Sequence, residues 1–331
     1  MRTRQLGPFT VSAIGLGCMN LSAGYGAADP ATSEQLLHQA LDQGYRFLDT
    51  AAVYGAGHNE TLIGTTLAAR RDEFVLASKC GLGRDAQGLP APSGRPHQLR
   101  QECEQSLRRL QTDVIDLYYL HRVDPAVPVE ESVGALGDLV REGKVQTLGL
   151  SEVCSDTLRR AHREHPITAV QSEYSLWSRT PERGLLDCCA QLGVCFVPFS
   201  PLGRGFLTGK AGDVSTLSEG DIRLTIARPR FETDAFASNS RLLTPYFAIA
   251  RRVGCTPAQL ALAWLLARTD GEVIPIPGTK HLDYLRENGA AAAVQLDGAV
   301  VAELDQLINE RTVVGARYSD EIMRSIDAER D

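Results

Sequence analysis

The chain has 331 residues, 43% of them hydrophobic and 23% charged, with a formal net charge of −7. This balance supports a large folded core and excludes general disorder. The acidic total excludes a nucleic-acid partner, which would need a basic surface, but leaves room for one basic pocket.

In chain order, residues 4–6 and 10–12 flank the turn dipeptide Gly7-Pro8 and predict a hairpin cap over residues 1–13. Short β-type runs then alternate with amphipathic helical ones. Strands are predicted at 14–17, 46–49, 74–78, 114–120, 145–150, 169–171, 195–199 and 273–276, with helices such as 33–43, 60–69 and 98–110 between them. This pattern predicts an α/β fold, a parallel (βα)8 TIM barrel, with residues 1–331 forming a single domain. Two segments interrupt the rhythm: 81–96, rich in Gly and Pro, and 203–240, polar and long enough for a lid or binding loop. Residues 282–293 and 298–309 read as helices and 311–331 as a polar tail, so 294–331 is a C-terminal helix and tail.

No run approaches the roughly 20 apolar residues of a membrane span, and residues 1–7 lack the apolar core of a signal peptide. A cytoplasmic protein without a membrane partner is expected. The eight cysteines include no C-x-x-C pair, which predicts buried thiols. Neither a heptad nor an interface patch is legible, and a monomer is the expected state.

In a (βα)8 barrel the working side chains come from the C-terminal ends of the strands. Here the second strand ends on the Asp49 carboxylate, the third on the Lys79 amine and the fourth on the His121 imidazole. Singly, Asp49 reads as a turn cap, Lys79 as a solvated lysine and His121 as a loop histidine. Together with Tyr54, five residues past Asp49, they form a constellation aimed at one point. No G-x-G-x-x-G follows a strand, because Gly15-Leu16-Gly17 and Gly81-Leu82-Gly83 lack the third glycine, so a Rossmann domain is not expected. The run from Gly203 to Lys210 has its first glycine out of register for an ATP-binding phosphate loop.

Leu48-Asp49-Thr50-Ala51-Ala52-Val53-Tyr54-Gly55, then Asn59-Glu60 and Ile63-Gly64, resembles the first signature of the aldo-keto reductase family. Ser78-Lys79, Leu120-His121-Arg122, Gly149-Leu150-Ser151, Ser200-Pro201-Leu202-Gly203-Arg204-Gly205 and Ile276-Pro277-Gly278-Thr279-Lys280 continue the resemblance in order along nearly the whole chain. It implies a nicotinamide-dependent carbonyl reductase with Tyr54, Asp49, Lys79 and His121 as catalytic residues. It further implies that Gly17, Cys18, Met19 and Asp49 adjoin the cofactor, with Ser151 and Gln171 on its carboxamide. Phe199, where the family usually has tyrosine, would stack on the nicotinamide. Ser200, Pro201, Leu202, Gly203, Arg204 and Gly205 would close over the diphosphate. Gly278, Thr279 and Lys280, opening the last helix, would take an adenosine 2′-phosphate, with Glu287 and Asn288 at the adenine. NADP(H) is therefore the implied cofactor. At Glu152 the chain departs from the asparagine often found after this serine.

Tyr25, Tyr54, His121 and Trp177 are the candidates for the substrate wall, and an apolar, aromatic lining suits an aldehyde or ketone with a hydrophobic body. A phenol titrates near 10 and is a weak acid at neutral pH. A cation about 4 Å away is worth about 4 kcal/mol at an effective dielectric near 20, so Lys79 is expected to bring Tyr54 down toward working pH. Asp49 is expected to keep Lys79 charged. His121 is expected to orient the carbonyl and share the charge growing on its oxygen. The resemblance leaves two other readings open: a cofactor-binding regulatory subunit like the potassium-channel β subunits, and an NAD-linked sugar or polyol dehydrogenase.

Overall fold

A computed structural model describes residues 1–331 except 23, 85–89, 211–213, 215, 216, 219 and 269–272. The described strands are β1 (Thr3–Leu6), β2 (Phe9–Ser12), β3 (Leu16–Gly17), β4 (Phe47–Asp49), β5 (Val75–Cys80), β6 (Leu82–Arg84), β7 (Pro90–Pro92), β8 (Ile115–Leu120), β9 (Val145–Ser151), β10 (Ile167–Glu173) and β11 (Cys195–Phe199). The helices are α1 (Pro30–Asp42), α2 (His58–Leu67), α3 (Pro96–Leu110), α4 (Val129–Arg141), α5 (Ser155–Glu164), α6 (Leu185–Leu192), α7 (Thr233–Ser240), α8 (Leu243–Val253), α9 (Pro257–Arg268), α10 (Leu282–Ala290), α11 (Gly298–Leu307) and α12 (Asp320–Ser325).

Seven parallel strands run in the order β11-β10-β9-β8-β5-β4-β3. The predicted eighth strand is reduced to a single parallel bridge between Val273 and Phe196. Residues 274–277 nevertheless join the two edges. Ile274 and Ile276 donate N–H bonds to the carbonyls of Phe196 and Pro198 in β11 (3.0 and 3.1 Å), and Gly15 and Gly17 donate to Pro275 and Pro277 (3.0 and 3.2 Å). Proline has no N–H, so the side facing β3 receives bonds and returns none. The ring is a (βα)8 barrel whose last stave is held asymmetrically.

The barrel interior is filled by Phe47, Ala77, Leu117, Tyr119, Ala169, Val197 and Ile274, together with Leu6 and Val11 from the hairpin. The expected cap is thus a plug as well. Tyr119 fits because Gly149 faces it: a Cβ there would lie 2.3 Å from its ring. A second apolar layer, including Leu36, Ile63, Leu99, Leu136, Leu158 and Trp264, seals the helices against the outside of the sheet.

The Gly- and Pro-rich segment contributes the β6–β7 hairpin, and the long polar one contributes short helical turns and α7; residues 85–89 and parts of 211–219 in these two segments lie outside the described residues. The tail departs from expectation. Residues 311–331 carry α12, and Tyr318, Ile326 and Ala328 are buried, with Ile226, Ile322 and Met323 packed on them. None of the eight cysteines forms a disulfide and seven are buried. No described helix is long and apolar enough to cross a membrane.

Candidate active site

The three strand ends converge as their positions require, because β4, β5 and β8 are neighbours in the sheet. Lys79 Nζ lies 2.5 Å from Asp49 Oδ1, 2.8 Å from the Thr50 carbonyl and 3.3 Å from Tyr54 Oη. The other carboxylate oxygen of Asp49 accepts from Gln171 Nε2 at 2.7 Å. His121 meets the Tyr54 ring edge-on, with centroids 5.9 Å apart. Asn59, opening α2, braces the rim: its amide donates to the Cys18 carbonyl (2.9 Å) and its oxygen accepts from Thr50 (2.6 Å). Behind Lys79, Ser78 donates to Glu60 (2.5 Å), which is paired with Arg109 at 2.6 Å. The Asn59-Glu60 pair of the first signature is thus the framework behind the tetrad.

Burial opposes the charge of Lys79, but the Asp49 carboxylate and the Tyr54 hydroxyl outweigh it, and the amine is held above its ordinary range. It is an ammonium. Burial raises Asp49 despite Lys79 and Gln171, and the ammonium contact identifies it as the carboxylate of an ion pair. Tyr54 corrects an expectation: burial raises its phenol, Lys79 only partly opposes that, and the Asp49 charge adds to the rise. The Lys79 ammonium, itself paired with Asp49 at 2.5 Å, does not outweigh that burial. Tyr54 therefore keeps its proton at neutral pH. His121 is pushed well below its ordinary value by burial, with Arg122 and Lys79 adding to the effect, and is neutral.

A cavity of about 450 Å³ runs from this cluster across the rim. Of the predicted residues, Gly17, Met19, Tyr25, Asp49, Tyr54, His121, Ser151, Gln171, Phe199, Ser200, Pro201, Leu202, Arg204, Gly205, Gly278, Thr279, Lys280, Glu287 and Asn288 line it. Gly17 must be glycine, since a Cβ would stand 2.7 Å from the Ile276 carbonyl oxygen.

Four expectations are corrected. The Cys18 side chain is buried, with Sγ donating to the Leu16 carbonyl, and does not face the cavity. Gly203 lies beneath the loop against Trp177, also away from the cavity. Trp177 is not a substrate wall: it is 2% exposed, stacked on Phe206 at 4.2 Å and covered by Arg230. Its bulk anchors the loop from below. Gly278, Thr279 and Lys280 precede the last helix rather than open it, because α10 begins at Leu282. Lys280 Nζ instead donates to the carbonyls of Tyr25 (3.0 Å) and Ala27 (2.8 Å), and makes no ion pair among the described residues.

Arg204 reaches the cavity, but its guanidinium is engaged by Glu173 at 2.7 Å. Glu173 also faces Arg317 (3.4 Å), and Arg317 bonds Glu152 at 2.8 Å. The departure at Glu152 is thus answered by an arginine from the tail. This docking brings Tyr318, Ile322, Ser325 and Ile326 onto the cavity wall, all of them absent from the sequence-based site. The four-residue spacing of Tyr318, Ile322 and Ile326 is the available signal.

A barrel with an acid, an amine, a phenol and an imidazole at its C-terminal rim is the architecture of an oxidoreductase family, and residues 13–309 match the family model described as Aldo/keto reductase family. The chain belongs to that family. It is 42% identical to "Probable aldo-keto reductase 1" of Glycine max, covering 94% of this chain and 89% of that one. It is 41% identical to "Aldo-keto reductase yakc [NADP(+)]" of Schizosaccharomyces pombe, covering 96% and 94%. Among solved structures it is similar to the glycerol dehydrogenase AKR11B4 from Gluconobacter oxydans, with a TM-score of 0.83 and 26% identity, covering 98% and 96%.

Proposed function

We propose that the chain reduces aldehydes or ketones to alcohols with NADPH, Tyr54 giving the proton. The observation that carries this reading is the Asp49–Lys79–Tyr54 chain of contacts beside a neutral His121 at the cavity wall. A relative whose name carries NADP(+) supports the cofactor. So do the size of the cavity and its succession of Phe199, Ser200, Gly205, Lys280 and Asn288.

The bound nicotinamide would supply hydride for the carbonyl carbon. The phenol holds its proton until negative charge develops on the carbonyl oxygen, then passes it from Tyr54 Oη. Lys79, hydrogen-bonded to that same oxygen, stabilises the phenolate left behind. Asp49 and the Thr50 carbonyl keep the ammonium aimed. His121, neutral, offers an N–H to the carbonyl oxygen without competing for the proton. The test is NADPH consumption with a panel of aldehydes and ketones, and oxidation with none of them would overturn the reading.

Lys280 is the proposed 2′-phosphate partner. Lys280→Ala is expected to weaken NADPH by about tenfold or more, the scale of one charge-assisted hydrogen bond. Because Lys280 also ties the carbonyls of Tyr25 and Ala27, NADH affinity measured by titration calorimetry is the control. Equal loss for both coenzymes would refute the assignment.

A further inference from the structure

Among the described residues five lysines and arginines line the cavity: Arg122, Arg204, Lys210, Arg223 and Lys280. Arg204 is held by Glu173, Arg223 by Asp221 at 2.7 Å, and Lys210 lies 3.5 Å from Glu287. Lys280 rests on two carbonyls. Arg122 differs from the first three in having no carboxylate partner and from Lys280 in its place beside His121. It directly follows His121, and among the described residues it makes no ion pair. Its guanidinium is nonetheless fixed, because Nη1 donates to the His121 carbonyl at 2.7 Å and to Ser151 Oγ at 3.2 Å.

Those two bonds use one nitrogen. The Nε–H and Nη2–H edge, the one that matches a carboxylate bidentately, has no described acceptor. The carboxylate of Asp49 is consumed by Lys79, so the reacting end of the cavity carries the uncompensated charge of Arg122. That charge is felt at the reacting groups, since it adds to the lowering of His121 and opposes the rise of Tyr54. On a chain of net charge −7, a half-buried cation held by two hydrogen bonds beside the proton donor selects for anions.

We infer that the preferred carbonyl substrates carry a carboxylate, and that Arg122 receives it through its open edge while Tyr54 and His121 address the carbonyl oxygen. Val53, Leu82 and Pro92, also on the wall, suit an apolar spacer between the two groups. This inference rests on the carbonyl-reduction reading and adds the class of substrate to it.

The test compares para-carboxybenzaldehyde with its near-isostere para-carbamoylbenzaldehyde, both with NADPH. Wild-type protein is expected to favour the carboxylate in kcat/KM by about tenfold or more, the scale of a charge-assisted pair. Arg122→Gln should bring the ratio to about one, and Arg122→Lys, which keeps the charge but not the fork, should retain part of it. A wild-type ratio near one overturns the inference while turnover of both aldehydes leaves carbonyl reduction standing. A Gln variant that slows both substrates equally with the ratio unchanged also overturns it, since Arg122 would then act only by holding Ser151. No turnover of either aldehyde by wild-type protein sinks both readings together.

Discussion

Tyr54→Phe is expected to lower turnover by about 10²–10⁴-fold, the range of a positioned general acid, and to leave NADPH affinity near the wild-type value. The substitution removes one oxygen and keeps the ring, so the edge-on contact with His121 survives. What disappears is the only phenol oxygen that Lys79 contacts among the described residues. Single-turnover kinetics with a saturating aldehyde, alongside NADPH titration, separates the two effects. Turnover within a few-fold of wild type would remove Tyr54 from the mechanism. The pH dependence carries the same sign. Because burial holds the phenol above its ordinary range, the reductive rate should stay level through neutral pH and fall only as the phenol ionises at strongly alkaline pH. Alcohol oxidation, which needs the phenolate, should rise over the same interval.

The barrel and its tetrad were legible because both are written locally. Each strand is an apolar run, and Asp49, Lys79 and His121 close three such runs that the βα alternation makes neighbours in the sheet. The electrostatics of Tyr54 was not legible. A pairwise reading of cation and phenol omits the burial of the phenol, which outweighs the cation, and the opposing charge of Asp49. The eighth stave was overdrawn because Ile274 and Ile276 satisfy a β pattern, while the effect of Pro275 and Pro277 depends on which side each residue presents to a neighbour. The tail is hard to read in the sequence for a different reason. Its average polarity is that of a solvated segment, yet the charge of Arg317 is shared between Glu329 in the tail itself and Glu152 and Glu173, which lie 165 and 144 residues earlier. Charges that pair over such separations look like surface in a sequence and are interior in the fold. Trp177 shows the converse, since a large aromatic beside the rim motifs is used for packing under the loop rather than for the substrate.

Arg317→Met is expected to cost about 3–5 kcal/mol, the penalty for removing one partner of a buried ion pair. Arg317 is 4% exposed, and of its three carboxylate partners Glu152 and Glu173 are buried, at 1% and 3%, so neither of these two can turn to water without moving the tail. Glu173 keeps Arg204, but Glu152 has no other described cation within ion-pair distance. The local outcome is release of the tail, and with it loss of Tyr318, Ile322 and Ile326 from the cavity wall. Urea unfolding measures the first effect and proteolysis near residue 317 the second. Adding Glu152→Gln to Arg317→Met should recover part of the loss, because the buried charge left without a partner is removed. A double variant as unstable as the single one would mean that packing of the arginine stem, not charge, holds the tail. Acid gives an independent check. Burial alone would raise Glu173, but Arg204, Arg317 and Arg230 override it and hold the carboxyl down at about 2. A depressed folded-state value contributes stability that is complete above the unfolded carboxylate range near 4.3 and is lost as pH falls toward about 2. The gap in stability between wild type and Arg317→Met should therefore be widest near neutral pH and narrow through that acidic window, as protonation neutralises the carboxylates that the arginine was holding.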